Sequence, residues 1–426
     1  MYLSKIEVKN IKSLDSFVWS LGPKEQKQGW HVLLGDNGSG KSALLKACAI
    51  ALMGPKNALG ARIVGSEWVR QGQTEGRVTI HLTQDYIKDQ WSGKGNTTVG
   101  TLRASVKITE SGVDSIDITP SPNRHIWGAG SGWFSASYGP YRRFSGGNKE
   151  HEKLFYSMPK LSRHLSIFGE DVALSETLSW LQDLHYTLLD EEKKGHRSPA
   201  GRFLKNLKNF INQDNFLPND VKLEEINPRN ILFKDSNGAE ISITNLSDGY
   251  RSILSMTLEL IRQLAMNYGP ESIFRDSDKE INLPGVVIVD EIDVHLHPRW
   301  QRVIGPWFTK HFPNIQFIVT THSPLVCQGA LNGSVTVLPS PGTSERGGRL
   351  LGSALDRLLY GDILEALSSG AFGKGIERSD AAQAMLFELA KLNLSSRRRS
   401  LKSDEKIRQE ELKTIFATSF STEEAN

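Results

Sequence analysis

The segment from residue 35 to residue 42, GDNGSGKS, has the residue types and spacing needed to hold a phosphate group. It fits the pattern G-x-x-x-x-G-K-S, in which backbone N–H groups surround the phosphate oxygens. Lys41 is expected to hold the β and γ phosphates of a nucleotide, and Ser42 to bind magnesium. A chance match in a glycine-rich turn is the alternative. The predicted nucleotide-binding residues are Gly35, Asp36, Asn37, Gly38, Ser39, Gly40, Lys41 and Ser42.

Two adjacent acidic residues follow the apolar run at 286–289. Asp290, at the tip of this predicted strand, suits the coordination shell of magnesium. Glu291 is placed to polarise an attacking water molecule, because the ends of parallel strands face the phosphate-binding loop across the sheet. An acidic turn in contact with solvent is the alternative. We interpret the pair as a metal ligand followed by a catalytic base.

A histidine ends a second apolar strand pattern, IQFIVTTH at 315–322. His322 could donate a hydrogen bond to the γ phosphate and so sense its presence. A histidine at the end of a strand is, taken alone, more often structural. The other phosphate-binding segments in the same chain favour the functional interpretation.

The segment TNLSDGYRSILSM, residues 244–256, places Ser247 and Gly249 at the start of a predicted helix. The first N–H groups of a helix have no partner within the helix, and they lie at its positive end. These groups could therefore bind an anion. An ordinary helix cap is the alternative interpretation.

The periodicity of apolar residues predicts the elements that position these segments. Predicted strands are 1–10, 30–35, 77–84, 101–110, 285–291, 315–322 and 334–338, with a hairpin turn at 237–238. Predicted helices are 41–53, 175–192, 198–213, 248–266 and 299–310. The glycine-rich segments 91–100 and 126–147 are predicted to be loops.

The alternation of buried strands and helices stops near residue 54 and resumes near residue 240. We therefore expect one nucleotide-binding core made of residues 1–54 and 240–345. An inserted lobe of β-strands and helices occupies 55–239, and residues 346–426 form a helical, charged C-terminal region.

The composition limits the class of protein without deciding the function. A chain of 426 residues with 38% hydrophobic residues can build an ordinary globular core, and its net charge of +3 permits nucleic-acid binding without requiring it. The sequence contains no apolar run long enough to span a membrane. The two cysteines, Cys48 and Cys327, favour a reducing cytoplasm over a disulfide framework.

Taken together, the four motifs resemble those of the ABC-type ATPases, in the soluble branch that includes the SMC, RecF and OLD-like proteins. GDNGSGKS is similar to the Walker A motif, LSDGY to the signature, VVIVDE to Walker B and THSP to the switch-histidine region. The segments DEIDVHLHPRWQ and ASYGPYRRF resemble the Septu-type anti-phage defence ATPases within that branch. The resemblance implies an α/β P-loop NTPase fold, an ABC-type ATPase head with a split core, and ATP with magnesium as cofactors.

The resemblance also implies roles for residues outside the four motifs. Asn10 and Lys12, in the opening IEVKNIKSL, would approach the nucleotide. Asp293 would lie in the D-loop, which crosses the interface between two ATPase heads. The signature Ser247, Asp248 and Gly249 of one subunit would face the nucleotide of another, so a homodimer or a higher even oligomer is expected. Transporters usually carry glycine where this chain has Asp248, which weakens the transporter interpretation.

The Q-loop of the family has no clear counterpart in the sequence. Gln71 is a candidate, although it precedes the predicted inserted strands. The segment YGPYRR is the alternative, and it would place Arg142 or Arg143 near the nucleotide or the interface.

By resemblance, the expected function is slow ATP hydrolysis that drives a conformational clamp in bacterial anti-phage defence. Such an ATPase would sense DNA or nucleotide state and would regulate a separately encoded effector nuclease. A RecF-like DNA-repair or DNA-loading ATPase is the first alternative. The ATPase subunit of a transporter is the second, and the long insert and the DEIDVHLHP segment disfavour it.

Overall fold

The computed structural model describes most of the chain. The described residues are 1–22, 25–61, 63–85, 89, 100–116, 118, 121–128, 133–142, 158–169, 176–195, 198–214, 216–343, 347–367, 371–372 and 379–416. They fall into two compact units, Met1–Ala371 and Phe372–Asn426.

A six-stranded sheet forms the centre of the first unit. Its strands, in spatial order, are β14 (Gly348–Arg349), β13 (Gly333–Val337), β3 (Gly29–Leu34), β12 (Ile315–Thr320), β11 (Gly285–Val289) and β7 (Ser135–Tyr138). The strands from β13 to β7 run parallel to one another, and β14 is antiparallel to β13. Every residue of β3, β11 and β12 is buried, as continuous apolar strands inside a parallel sheet require.

A second, antiparallel sheet of five strands covers the helix that follows β3. Its order is β2 (Leu14–Ser20), β1 (Tyr2–Ile11), β4 (Glu75–Thr83), β5 (Thr101–Thr109) and β6 (Gly112–Ser115). Helix α1 (Lys41–Met53) is apolar except for Lys41, Ser42 and Lys46, and it is almost fully buried. Its side chains join those of β1, β4, β5 and the central sheet in one hydrophobic cluster. The start of α1 is therefore held rigidly between the two sheets.

A third sheet and further helices complete the first unit. The sheet contains β10 (Glu240–Ser242), β9 (Ile231–Lys234) and β8 (Lys222–Ile226). The helices are α2 (Pro55–Gly60), α3 (Gly65–Trp68), α4 (Pro122–His125), α5 (Pro159–Leu165), α6 (Glu176–Lys193), α7 (Pro199–Ile211), α8 (Asp248–Tyr268), α9 (Pro270–Ile273), α10 (Pro298–His311), α11 (Pro324–Cys327), α12 (Gly352–Tyr360) and α13 (Ile363–Leu367). Short 3₁₀ turns lie at Pro218–Asp220, Ile243–Asn245 and Ala330–Asn332.

The described part of the second unit contains the helices α14 (Asp380–Arg398) and α15 (Ser403–Ile415). Within this unit the Arg408 guanidinium lies 3.1 Å from the Glu388 carboxylate and joins the two helices. Among the described residues, no helix has the length and apolar character needed to cross a membrane.

The predicted strands and helices of the nucleotide-binding core are confirmed to within a few residues. The α/β P-loop fold is confirmed as well, since β3 leads through the glycine-rich segment into α1. The predicted cap of α7 is also confirmed, because the Ser198 side chain accepts a hydrogen bond from the Gly201 N–H at 2.8 Å.

The prediction of a loop over 126–147 is wrong for its central part, where β7 pairs in parallel with β11. The sequence SASY alternates serines with apolar residues over only four positions between glycine-rich segments, and its serines face a buried imidazole. Ser135 Oγ and Ser137 Oγ lie 3.0 and 2.6 Å from the two ring nitrogens of His164. These tertiary contacts satisfy polar groups that would otherwise favour a loop. The predicted loop at 91–100 lies almost entirely outside the described residues.

The predicted boundaries of core, insert and C-terminal region remain a prediction. Strand β7 belongs to the central sheet, although it lies inside the range predicted as the insert. Strands β4, β5 and β6 extend the sheet that β1 and β2 begin. The strands between residues 75 and 138 thus contribute directly to the walls around α1.

Candidate nucleotide-binding site

The glycine-rich loop connects the buried end of β3 to the start of α1. Gly38 and Gly40 have φ angles of 82° and 94°, in the left-handed region that favours glycine. A Cβ atom on Gly40 would lie 2.8 Å from the Leu14 side chain, so the turn between β1 and β2 also packs against the loop here. No described side chain caps the first turn of α1. The N–H groups of this turn are therefore available to an anion.

The Lys41 side chain folds back over the loop. Its ammonium donates hydrogen bonds to the carbonyl oxygens of Gly35, at 2.7 Å, and Asp36, at 3.1 Å. Burial lowers the pKa of Lys41, and this effect is opposed by the carboxylates of Asp290, Glu291, Asp36 and Asp293. The acidic residues that follow β11 thus lie close enough to the predicted phosphate-binding lysine to raise its pKa, although burial has the larger effect.

The two acidic residues after β11 are joined by a threonine at the end of β12. Asp290 is 2% exposed, and its Oδ1 accepts a hydrogen bond from the Thr320 hydroxyl at 2.6 Å. The same hydroxyl oxygen accepts a hydrogen bond from the Glu291 N–H at 2.7 Å. One side chain therefore orients the predicted metal ligand and the backbone of the predicted base.

The predicted switch histidine and the predicted D-loop aspartate are neighbours. The His322 N–H donates a weak hydrogen bond to Asp293 Oδ2 at 3.4 Å, and the His322 side chain is exposed. Asp293 Oδ1 is buried and, among the described residues, has no hydrogen-bond partner. This carboxylate therefore has an acceptor oxygen left for a further donor.

The predicted signature residues lie at the start of α8, which we call the signature helix. Ser247 is its exposed N-cap residue and makes no capping hydrogen bond with its side chain. Asp248 is paired with Arg251 on the helix surface. A Cβ atom on Gly249 would lie 2.7 Å from the carbonyl oxygen of His295, which shows that the helix start packs on the chain segment after Glu291.

The side chains of Asn10 and Lys12, predicted to approach the nucleotide, make contacts within the protein. The Asn10 amide donates hydrogen bonds to Gln73 Oε1 at 3.3 Å and to the Glu75 carbonyl oxygen at 3.4 Å. The Lys12 ammonium lies 4.8 Å from the centre of the Trp68 ring. Their role toward a nucleotide remains a prediction.

The two Q-loop candidates lie in different parts of the fold. Gln71 is exposed in the turn between α3 and β4. The segment 139–142 follows β7, the strand beside β11, and therefore lies at the edge of the sheet where Asp290 is found. Arg142 is buried there, and its guanidinium contacts the backbone on both sides of Glu291. Arg143 lies outside the described residues.

The arrangement fits a magnesium–nucleotide complex. Helix α1 presents free N–H groups, Lys41 supplies a positive charge, and Asp290 supplies an oriented carboxylate at the same edge of the sheet. The Ser39 hydroxyl is buried in the loop and, among the described residues, has no hydrogen-bond partner. Ser42 is partly exposed in the first turn of α1 and would share the magnesium ion with Asp290.

Three residues of the site were not predicted from the sequence. Thr320 joins the acidic pair, and its signal was the position of a hydroxyl residue at the end of the strand beside β11. The Ser340 hydroxyl donates a hydrogen bond to Asp36 Oδ2 at 2.7 Å, and Pro341 packs near Gly38. The chain segment after β13 thus supports the outer side of the phosphate-binding loop.

The amino-acid sequence of this chain is similar to a family model and to several known proteins. The family model described as "AAA domain, putative AbiEii toxin, Type IV TA system" matches residues 148–328, less than half of the chain. The Septu protein PtuA of Bacillus mycoides is 26% identical over 343 residues, which cover 79% of this chain and 40% of that protein. The Retron Ec83 probable ATPase of Escherichia coli is 44% identical over 96 residues, which cover 22% of this chain and 17% of that protein.

Among solved structures, an SMC head bound to the C-winged helix domain of ScpA matches with a TM-score of 0.49 at 15% identity, covering 82% of this chain and 98% of that chain. The regions matched by this chain cover less than half of the Septu protein and of the retron protein. The activities of those whole proteins are therefore not assigned to this chain. The resemblance to the Septu-type ATPases, inferred from the motifs, is confirmed by the match over 79% of the chain.

Proposed function

We propose that this protein binds and slowly hydrolyses ATP, and that two copies close around the nucleotide. The observation that carries the proposal is the meeting of three segments at one edge of the central sheet. These are the loop before α1, the acidic pair after β11 and the end of β12, and a single hydroxyl, that of Thr320, joins the last two. Such an arrangement serves phosphoryl transfer, in which positioning and charge provide most of the catalysis.

Each residue of the site has a role in this proposal. The N–H groups of α1 and the Lys41 ammonium bind the phosphates, while Ser42 and Asp290 would hold magnesium, which would neutralise charge on the phosphate oxygens. Glu291 accepts a proton from the attacking water, and His322 donates a hydrogen bond toward the γ phosphate. The pairing of Asp290 with Thr320 keeps its carboxylate fixed during this sequence.

The signature helix supports closure of two copies. Ser247 is exposed at the N-terminus of a 21-residue helix, and its side chain is not used as a cap. A phosphate bound by a second copy would accept hydrogen bonds from this end of the helix. By the resemblance, Asp293 would lie in the D-loop that crosses the same interface.

The cellular role proposed here is anti-phage defence. It is supported by the similarity to a Septu protein over most of the chain and to a retron ATPase over part of it. In this role the ATP-driven closure would sense DNA or nucleotide state and would regulate a separately encoded effector nuclease. DNA association remains part of the proposal.

The test of the catalytic proposal is a phosphate-release assay on the full chain with ATP and magnesium. Wild-type protein is expected to turn over ATP slowly, and Glu291→Gln should lower kcat by about 100-fold or more while preserving ATP binding. Lys41→Ala should abolish binding and therefore provides the background. Equal turnover by wild type and Lys41→Ala would disprove the proposal.

The defence proposal needs a separate test in cells. A host that carries the gene together with its neighbouring genes should plate phage less efficiently than a host without them. Glu291→Gln in the same gene cluster should restore plating. If hosts with Glu291→Gln and hosts with Lys41→Ala both resist phage as well as the wild type does, ATP hydrolysis is not needed for defence and the proposal fails.

A further inference from the structure

Glu291 has a backbone conformation that is costly for its residue type. Its φ angle is 48°, in the left-handed region that few residues other than glycine adopt. Such a conformation persists only when surrounding groups impose it. The Glu291 N–H is fixed by Thr320, as described above, and its carbonyl oxygen accepts a hydrogen bond from Arg142 Nη2 at 3.1 Å. The backbone of Glu291 is therefore held from both sides by side chains.

Arg142 contributes more than this one contact. Its side chain is 4% exposed, and an arginine has five N–H donors in a rigid, planar arrangement. All five have acceptors within the protein. These are Ser252 Oγ at 3.1 Å from Nε, the carbonyl oxygens of Gly139 and Asp290 at 2.8 and 3.0 Å from Nη1, and those of Glu291 and Ile292 at 3.1 and 3.4 Å from Nη2.

This set of acceptors connects three elements. Gly139 follows β7, the residues 290–292 follow β11, and Ser252 lies in the signature helix, five positions after Ser247. Because every donor is engaged, Arg142 has none left for a phosphate in this arrangement. Burial lowers the pKa of Arg142 to about 10, against the effect of nearby carboxylates, so its charge is retained at neutral pH.

We propose that Arg142 is a positioning residue, which holds the Glu291 backbone in its left-handed conformation and connects it to the signature helix through Ser252. The proposal rests on the proposed function, in which Glu291 is the catalytic base. Any displacement of the signature helix when two copies close would then reach Glu291 through one side chain. The switch between closed and open forms would thereby act on the placement of the base.

Arg142→Lys is the direct test, because it keeps the charge but cannot span acceptors on several peptide groups. Ser252→Ala removes only the link to the signature helix. Ser255→Ala is the matched control, since Ser255 is also buried on the same helix and, among the described residues, its hydroxyl donates only to the Ser252 carbonyl oxygen, at 3.1 Å. The measurements are kcat, the Kd for a fluorescent ATP analogue, and amide hydrogen exchange of residues 289–294 in protein without nucleotide.

For Arg142→Lys, we expect kcat to fall by about 100-fold and the Kd to change by less than about threefold, because a base contributes to turnover rather than to binding. Amide exchange over 289–294 should rise by about tenfold or more while exchange in α1 stays unchanged. Ser252→Ala should change both quantities in the same direction by a smaller factor, and Ser255→Ala should match wild type. In a Glu291→Gln background, Arg142→Lys should cause little further loss of turnover.

The inference is overturned if exchange over 289–294 is unchanged in both Arg142→Lys and Ser252→Ala. It is also overturned if Arg142→Lys raises the Kd as much as it lowers kcat. The exchange measurement needs no nucleotide, so its result stands even if wild-type protein fails to hydrolyse ATP. Ser252→Ala keeps the proposal testable if Arg142→Lys does not fold.

Discussion

The hydroxyl of Thr320 donates a 2.6 Å hydrogen bond to Oδ1 of Asp290, across the pair of central strands β12 and β11. The bond fixes the carboxylate that we assign to magnesium. Loss of a residue that orients a metal ligand typically lowers metal affinity or activity by about 10- to 100-fold. The end of β12 therefore belongs to the site, although its side chain need not touch the nucleotide.

Thr320→Val should raise the magnesium concentration required for half-maximal ATP turnover by about tenfold, because the Asp290 carboxylate loses its donor. The partly buried Glu291 N–H would lose its acceptor as well, at a cost of about 1 kcal/mol in the free energy of unfolding. Thr320→Ser keeps the hydroxyl and is the matched control. A magnesium titration of both variants checks the expectation, which fails if their half-maximal concentrations agree.

Gly249→Ala should weaken ATP-dependent association of two copies. The added methyl group would lie 2.7 Å from the carbonyl oxygen of His295, so the helix start or the segment after Glu291 must shift. We expect dimer affinity to fall by about tenfold, which corresponds to about 1.4 kcal/mol. Analytical ultracentrifugation with ATP and magnesium measures this change.

Gly348→Ala provides the control for this substitution, because no atom of the described residues, apart from its chain neighbours, lies within 4 Å of the position of its added Cβ. It should associate like the protein with both glycines intact. Equal association of the Gly249 and Gly348 variants would contradict the packing argument.

The stability of the protein should decrease as the pH is lowered because of His31, which is buried in β3. Its Nε2–H donates to the Lys27 carbonyl oxygen at 2.9 Å, and in this neutral form Nδ1 accepts from the Ser334 hydroxyl at 2.9 Å. Burial is the main cause that lowers the pKa of His31 from 6.5 to about 4. The unfolded chain therefore binds a proton at a higher pH than the folded chain does.

The contribution of His31 is complete above pH 6.5 and is lost as the pH falls toward 4, by up to about 3 kcal/mol in the free energy of unfolding. Urea unfolding of wild type and His31→Gln between pH 8 and pH 4 measures the difference. We expect the wild-type curve to fall more steeply across this range. Parallel curves would show that His31 does not titrate as described.

The sequence was sufficient to predict the parts of the site that depend on local patterns. Strands β3, β11 and β12 are short apolar runs. A glycine-rich loop that ends in a lysine follows β3, and two acidic residues follow β11. These patterns are typical of sites that bind phosphate and magnesium. Strand β7 was not predicted, because its serines are satisfied only by His164, a residue distant in sequence. A strand of four residues between glycine-rich segments is too short for its alternation to mark it as a strand.

The contacts of Arg142 could not be predicted from sequence patterns either. Its acceptors are mostly backbone carbonyl oxygens, and that of Glu291 lies 149 residues later in the chain. Any residue type presents such an oxygen, so nothing in the sequence marks the partner. Only the parallel pairing of β7 with β11 brings the two segments together.

The central claim is that ATP joins two copies of this protein through the signature helix. The most direct test is the sedimentation coefficient of Glu291→Gln, measured with ATP and magnesium and again without nucleotide. Our account predicts a dimer only in the presence of ATP, and a loss of that dimer when Ser247→Arg is added to the exposed start of the helix. A sedimentation coefficient that does not respond to ATP would contradict it.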